Sequence, residues 1–185
     1  YETVIEVKSN NRQVLISSGN SDEEFHKIFS ISDEKLLEAF RLIITARMVD
    51  EKHLNYLKQG KSFFHIGGSG HEATQVAIGM HINPKEDWSW TYYRDLAYSL
   101  TLGLTLQEYF LQAFGKPEDP AAGGRQMPGH YGHLKLNMPT QSSPTGTQYL
   151  NAVGTAIASK KLNDKAIVYV SSGEGTTSQG EFYEA

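Results

Sequence analysis

The chain has no cysteine, which excludes a disulfide framework and any thiolate metal site and fits a reducing compartment. No apolar run approaches the ~18 residues of a membrane-spanning helix, and the first residues, with Glu2, Glu6, Asn10 and Asn11, lack a signal-peptide pattern. A soluble, intracellular protein is expected. Neither sign of charge dominates. Seventeen basic residues against 21 acidic ones leave a formal charge of −4, with no field to draw nucleic acid or an anionic membrane. The nucleotide fingerprints are absent too: there is no G-x-x-x-x-G-K-[ST], and Gly173, Gly175 and Gly180 do not fit G-x-G-x-x-G. His71-Glu72 is not followed by histidine three positions on, so the zinc-protease helix is missing, and no internal repeat is visible.

What is present suffices for a core, with 185 residues and 39% apolar content. Residues 1 to about 17 alternate around Asn10 and Asn11 as a two-stranded ribbon would. Ser32 is a good N-cap, with Asp33 and Glu34 in the first turn of a helix carrying Leu36, Leu37, Phe40, Ile43 and Ile44 towards Gly60. Ala73, Val76, Ala77 and Met80 predict a second helix with His71 and Gln75 on another face, ended by Asn83 and Pro84. "DWSWTYY" reads as a strand delivering Tyr93 and Arg94 to its end, and "RDLAYSLTLG" then turns helical. Thr105 and Glu108 form a capping box for a helix holding Tyr109, Phe110 and Phe114, stopped by Gly115.

Residues 116 to 147 are rich in Pro and Gly and longer than the ~12 to 15 residues usual for a structureless loop, which marks them as functional. From Gln148 a helix places Leu150, Val153, Gly154 and Ile157 on one face, and the small Ala152, Ala156 and Ser159 give another face suited to close packing. Residues 166 to 171 read as a buried strand. The order predicts an α/β fold with a mostly parallel sheet flanked by helices and a site at the C-terminal ends of its strands.

Gly173, Gly175 and Gly180 make the turn after that last strand a natural anion cradle, yet it carries the carboxylate of Glu174. An acid beside a phosphate repels it unless a hard cation lies between, and Mg2+ commonly bridges carboxylate to phosphate oxygens. An ordinary strand-to-helix turn with an exposed acid is the competing reading. Arg94 offers bidentate contacts to phosphate, against the alternative of a surface ion pair with Asp95. Ser142, Thr147, Gln148 and the carbonyl of Pro144 would make an oxygen cage for a monovalent cation, or a plain helix-capping loop. His130 and His133 read as loop ligands or simple hydrogen-bonding groups.

Taken together and in order, "GGSGHEATQVAIG", "YYRDLAYSL", "GGRQMPGHYG", "SSPTGTQ" and "GEGTTSQGEFYEA" resemble the alpha subunit of the thiamine-diphosphate-dependent dehydrogenase component of 2-oxo acid dehydrogenase complexes. The likeness runs from about residue 33 to the end and is closest to the branched-chain type, with pyruvate and acetoin enzymes near relatives. It implies a thiamine-diphosphate-binding fold over residues 32–185, behind an N-terminal extension of residues 1–31. It also implies oxidative decarboxylation of a 2-oxo acid with acyl transfer to lipoyl groups. The site residues carried over are Tyr93, Arg94, Gly175 and Thr176 on the cofactor diphosphate and Ser143 and Thr145 near its aminopyrimidine. Glu174 falls on Mg2+, Ser142, Pro144, Thr147 and Gln148 on K+, and His65 at a catalytic position, with His130 a weaker match. The implied partners are a beta subunit or fused beta half and a lipoyl-bearing acyltransferase, in an oligomer of the cytoplasm or, in a eukaryote, the mitochondrial matrix. The resemblance further implies that later cofactor ligands lie past Ala185 and that this stretch alone is inactive. A non-catalytic homologue serving as an assembly module is the rival reading.

Overall fold

A computed structural model describes residues 4–9, 12–17 and 30–185, with side chains from residue 30 onward. Two compact units emerge, residues 1–40 and 41–185. In the first, β1 (Val4–Ser9) pairs antiparallel with β2 (Arg12–Ser17), Ser9 opposite Arg12 and Val4 opposite Ser17. Asn10 and Asn11, around which the sequence pattern alternates, and most of the remaining expected extension lie outside the described residues. Helix α1 (Asp33–Lys58) starts where Ser32 Oγ accepts the Lys35 amide at 3.3 Å, and Gly60, at φ 67°, follows its end.

The second unit carries α2 (Glu72–Gly79), β3 (Trp88–Trp90), α3 (Leu96–Leu102), α4 (Leu106–Ala113), α5 (Thr147–Lys161), β4 (Val168–Val170) and α6 (Gly180–Glu184). β3 and β4 run parallel, Trp88 opposite Val168 and Trp90 opposite Val170, so their C-terminal ends share one side of the sheet. The predicted capping box forms: Thr105 Oγ1 accepts the Glu108 amide and Glu108 Oε2 accepts that of Thr105.

β3 is shorter than the sequence suggests. Past Trp90 the Asp95 carboxylate accepts the Tyr92 amide at 3.1 Å, and the Asp95 amide donates back to the Tyr92 carbonyl at 3.0 Å, so Tyr93 and Arg94 ride a tight turn. The core lies between α3 and the sheet. Tyr98 is fully buried, stacks on Tyr169 of β4 with ring centroids 4.5 Å apart, and shares a 2.7 Å hydrogen bond with Ser89 of β3.

Apolar periodicity names the wrong face on α2, while on α5 the small face expected to pack closely does so at Ala152 and Ser159. α2 buries Glu72, Gln75, Val76 and Gly79, while Ala73 and Ala77 of the predicted apolar face are exposed. The cause is α3. A Cβ on Gly79 would stand 2.8 Å from Thr101, so only the small residue admits the close crossing, and Gln75 Oε1 accepts the amides of Ala97 and Tyr98. On α5, Ala152 and Ser159 are packed away, whereas Leu150, Val153 and Ile157 are 39%, 36% and 52% exposed.

Candidate functional site

The turn that ends β3 and the turn that follows β4 meet over a cleft of about 380 Å³, walled by α2 residues, His71, Tyr92, Asp95 and the Ser171–Glu174 segment. That volume lies within the usual range of small-molecule sites. Gly173 precedes a single 3-10 turn, Glu174–Ser178, and Glu174 stands exposed at the rim. The Thr176 amide donates to the Gly173 carbonyl at 3.0 Å and its side chain is buried, so Thr176 closes the turn and Gly175, exposed and with open space around it, is the part that faces outward.

Arg94 does not pair with Asp95. Its Nη1 donates to the Gly67 carbonyl at 2.5 Å, and its guanidinium lies 5.6 Å above the Tyr93 ring. Asp95 turns inward instead. At 1% exposure it accepts from the Tyr92 amide, the Gln75 side-chain amide and the Ser171 hydroxyl, and burial pushes its carboxyl up to about 7. The Tyr92 hydroxyl is pushed up to about 12, first by burial and then by Asp95, with Arg94 opposing and Glu174 adding to the rise. Tyr92 therefore feels both charges, the cation of one turn and the acid of the other.

The remaining segments are stitched to these two turns. A Cβ on Gly129 would stand 3.0 Å from the Tyr93 carbonyl, which seats the 127–130 loop against the Arg94 turn. Next to it, His130 Nδ1 donates to the Met127 carbonyl at 3.0 Å, which leaves Nε2 to accept from Ser143 Oγ, also at 3.0 Å. Ser143, Pro144 and Thr145 are exposed. Gln148 Nε2 donates to the Ser171 carbonyl at 3.1 Å while its Oε1 accepts the Gly146 amide at 3.2 Å, tying the 142–148 loop to the end of β4. Ser142 Oγ is buried without a hydrogen-bond partner, an orphaned oxygen of the kind that suits a cation ligand. Among the described residues no group of three His, Asp or Glu side chains is placed to hold a metal ion, so a divalent ion at Glu174 would need oxygens from its ligand, as Mg2+ with phosphates does.

His65 opens the 65–70 loop, with its side chain turned towards α1 residues His53 and Asp50. Its side chain is 9% exposed, its ring is 4.4 Å from that of His53, and its Nε2 is 3.6 Å from Asp50. Burial lowers its basicity and raises the Asp50 carboxyl. His133 sits apart from His130, its Nε2 3.2 Å from Glu108. Sequence reasoning missed Tyr92, Asp95 and Asp50; the first two adjoin the "YR" pair, which is the one signal that could have raised them.

The chain has relatives of known kind. The family model for the dehydrogenase E1 component matches residues 40–185. The 2-oxoisovalerate dehydrogenase subunit alpha of Bacillus subtilis (strain 168) is 36% identical over 159 residues, which is 86% of this chain and 48% of that protein. Its mitochondrial counterpart from Arabidopsis thaliana, subunit alpha 2, is 35% identical over 84% of this chain and 32% of its own length. The pyruvate dehydrogenase E1 component subunit alpha of Staphylococcus aureus (strain Mu50 / ATCC 700699) is 31% identical over 93% and 43% respectively. The chain thus spans about half or less of the length of these relatives. The match over residues 40–185 leads to one assignment: the chain belongs to the dehydrogenase E1 component family.

Proposed function

We propose that this chain is part of the alpha component of a thiamine-diphosphate-dependent 2-oxo acid dehydrogenase, acting on a branched-chain 2-oxo acid. The observation that carries the reading is the cleft at the ends of two parallel strands, lined by Tyr92 and Asp95 of the Arg94 turn and by Gly173 and Glu174, with Arg94 and Glu174 both acting on the Tyr92 hydroxyl, in a chain of this family. Pyruvate or acetoin is the alternative substrate, supported for pyruvate by the Staphylococcus relative.

In this reading Tyr93, Arg94 and the Gly175 amide bind the diphosphate, and Thr176 acts by holding the turn closed. Glu174 holds Mg2+ against the phosphates, which answers why an acid stands in an anion cradle. Ser142, Pro144, Thr147 and Gln148 hold K+, supported by the orphaned Ser142 oxygen. Ser143, kept in place by His130, and Thr145 border the aminopyrimidine. When bound, the cofactor supplies the electron sink for decarboxylation, and the protein supplies orientation and electrostatics. His65 is the proposed catalytic side chain, held beside Asp50. The full assembly includes a beta component and a lipoyl-bearing acyltransferase that receives the acyl group, in the cytoplasm or the mitochondrial matrix.

The test uses the full-length protein assembled with its beta component. Carbon dioxide release is followed with branched 2-oxo acids and with pyruvate, each with and without thiamine diphosphate and Mg2+. Cofactor-dependent release with a branched acid above pyruvate is expected. No cofactor-dependent release with any of these acids would overturn the enzyme reading and favour the non-catalytic homologue.

A further inference from the structure

Arg94 is seated on a loop that is itself seated on a buried acid. The Gly67 carbonyl accepts Arg94 Nη1 at 2.5 Å, and a Cβ on Gly68 would fall 2.5 Å from the Arg94 carbonyl, so the loop touches both the head and the backbone of this arginine. Nothing in residues 66–70 is regular structure, so its position must come from side chains that grip it. Asp50 of α1 is the grip. Its Oδ2 accepts the Gly68 amide at 2.7 Å and the Ser69 hydroxyl at 3.2 Å, and a Cβ on Gly67 would stand 3.0 Å from the same oxygen. The carboxylate is 5% exposed, which makes these bonds strong and their loss costly.

We propose that Asp50 is a positioning residue for Arg94: its carboxylate fixes the Gly67–Ser69 segment, and that segment fixes where the guanidinium meets a phosphate. The inference rests on the reading of Arg94 as a diphosphate ligand. A second acid keeps it specific. Glu72 holds the far end of the loop, accepting the Gly70 amide at 2.8 Å and Arg47 Nε at 2.6 Å. Removal of the Asp50 carboxylate therefore frees the part under Arg94 while Gly70 stays pinned. Gln75, which donates to the Arg94 carbonyl at 3.0 Å, likewise keeps the backbone of the arginine in place, so the freed element is the guanidinium.

The experiment is a double-mutant cycle on the full-length protein with its beta component, reading the dissociation constant of thiamine diphosphate in saturating Mg2+ by calorimetry. Asp50→Ala is expected to weaken binding about tenfold when Arg94 is present, the size of a lost bond to a charged group, and by less than about twofold in an Arg94→Ala background. Asp50→Asn keeps one acceptor oxygen and the side-chain volume, so it should fall between, and it replaces Asp50→Ala in the cycle if the alanine protein does not fold. A merely structural carboxylate would lower the thermal midpoint and weaken binding by the same factor in both backgrounds. That result, or unchanged affinity with Arg94 present, overturns the positioning role. If Arg94→Ala alone leaves affinity unchanged, the diphosphate role of Arg94 fails first and takes this proposal with it.

Discussion

The carboxylate of Asp95, immediately before α3, accepts the hydroxyl of Ser171, the first residue after β4. One side-chain contact thus joins the Arg94 turn to the Glu174 turn, and Asp95 holds the first with the Tyr92 amide at 3.1 Å. Burial pushes this carboxyl from the usual 3.8 up to about 7. A carboxyl with a raised folded value contributes stability that is fully present below about pH 4 and is lost as pH rises to about 7. Asp95→Asn removes that slope, so the stability of the variant relative to the parent should improve between pH 5 and pH 8. Denaturant midpoints at the two pH values check this; an identical difference at both would mean that Asp95 titrates normally.

His53 gives the opposite sign. It is fully buried, its Nδ1 2.6 Å from the Tyr109 hydroxyl and its Nε2 2.8 Å from Ser62 Oγ, which can itself donate to the Ala113 carbonyl at 3.0 Å. Burial first, and the neighbouring His65 second, lower it from 6.5 to about 4. The unfolded chain therefore gains a proton that the folded one refuses, and stability falls as pH drops from about 6.5 towards 4. The imidazole resonances of His53 should stay unshifted down to about pH 5. A midpoint near 6.5 in the folded protein would contradict the buried neutral ring.

Glu174→Gln keeps size and loses charge. Its thiamine diphosphate affinity in Mg2+ should drop by more than about tenfold and should no longer respond to a chelator, whereas the parent should lose affinity when metal is removed. Calorimetry with and without chelator separates the two. A variant that responds to the chelator as the parent does would free Glu174 of its metal role.

Gly68→Ala forces a methyl to within 2.5 Å of the Arg94 carbonyl. Backbone cannot yield as a flexible side chain would, so we expect about 1–3 kcal/mol of destabilisation together with weaker cofactor binding. Gly154→Ala on α5, with nothing near its Cβ position, is the control and should be neutral or slightly stabilising. Thermal melts of both variants, compared with cofactor affinity, decide the point; equal melts would mean that the loop moves freely.

Much was legible along the chain because it depends on neighbours in sequence. The Ser32 cap, the Thr105 and Glu108 box, the stop at Gly115 and the glycine turn after the last strand each rest on contacts within a few residues. The ordered motifs likewise pointed to the family from residue types and spacing alone. The small face of α5 was legible too, and Ala152 and Ser159 are buried as expected. The face of α2 was not, because apolar periodicity assumes that the greasiest side goes inward, whereas here Gly79 admits close packing and Gln75 satisfies amides at the start of α3 that nothing local could reach.

The sequence by itself determined which chemical groups this protein owns: an arginine before a helix, an acid in a glycine turn, a hydroxyl-rich loop, no thiol. Tertiary structure decided what each group faces. Asp95, adjacent to Arg94 in sequence, turned from it to Ser171, 76 residues on, and Asp50 came to hold the loop under Arg94. The physical reason is that a buried carboxylate must find donors wherever the fold brings them, and in this fold they arrive with the parallel pairing of β3 and β4 and the return of the chain over α1.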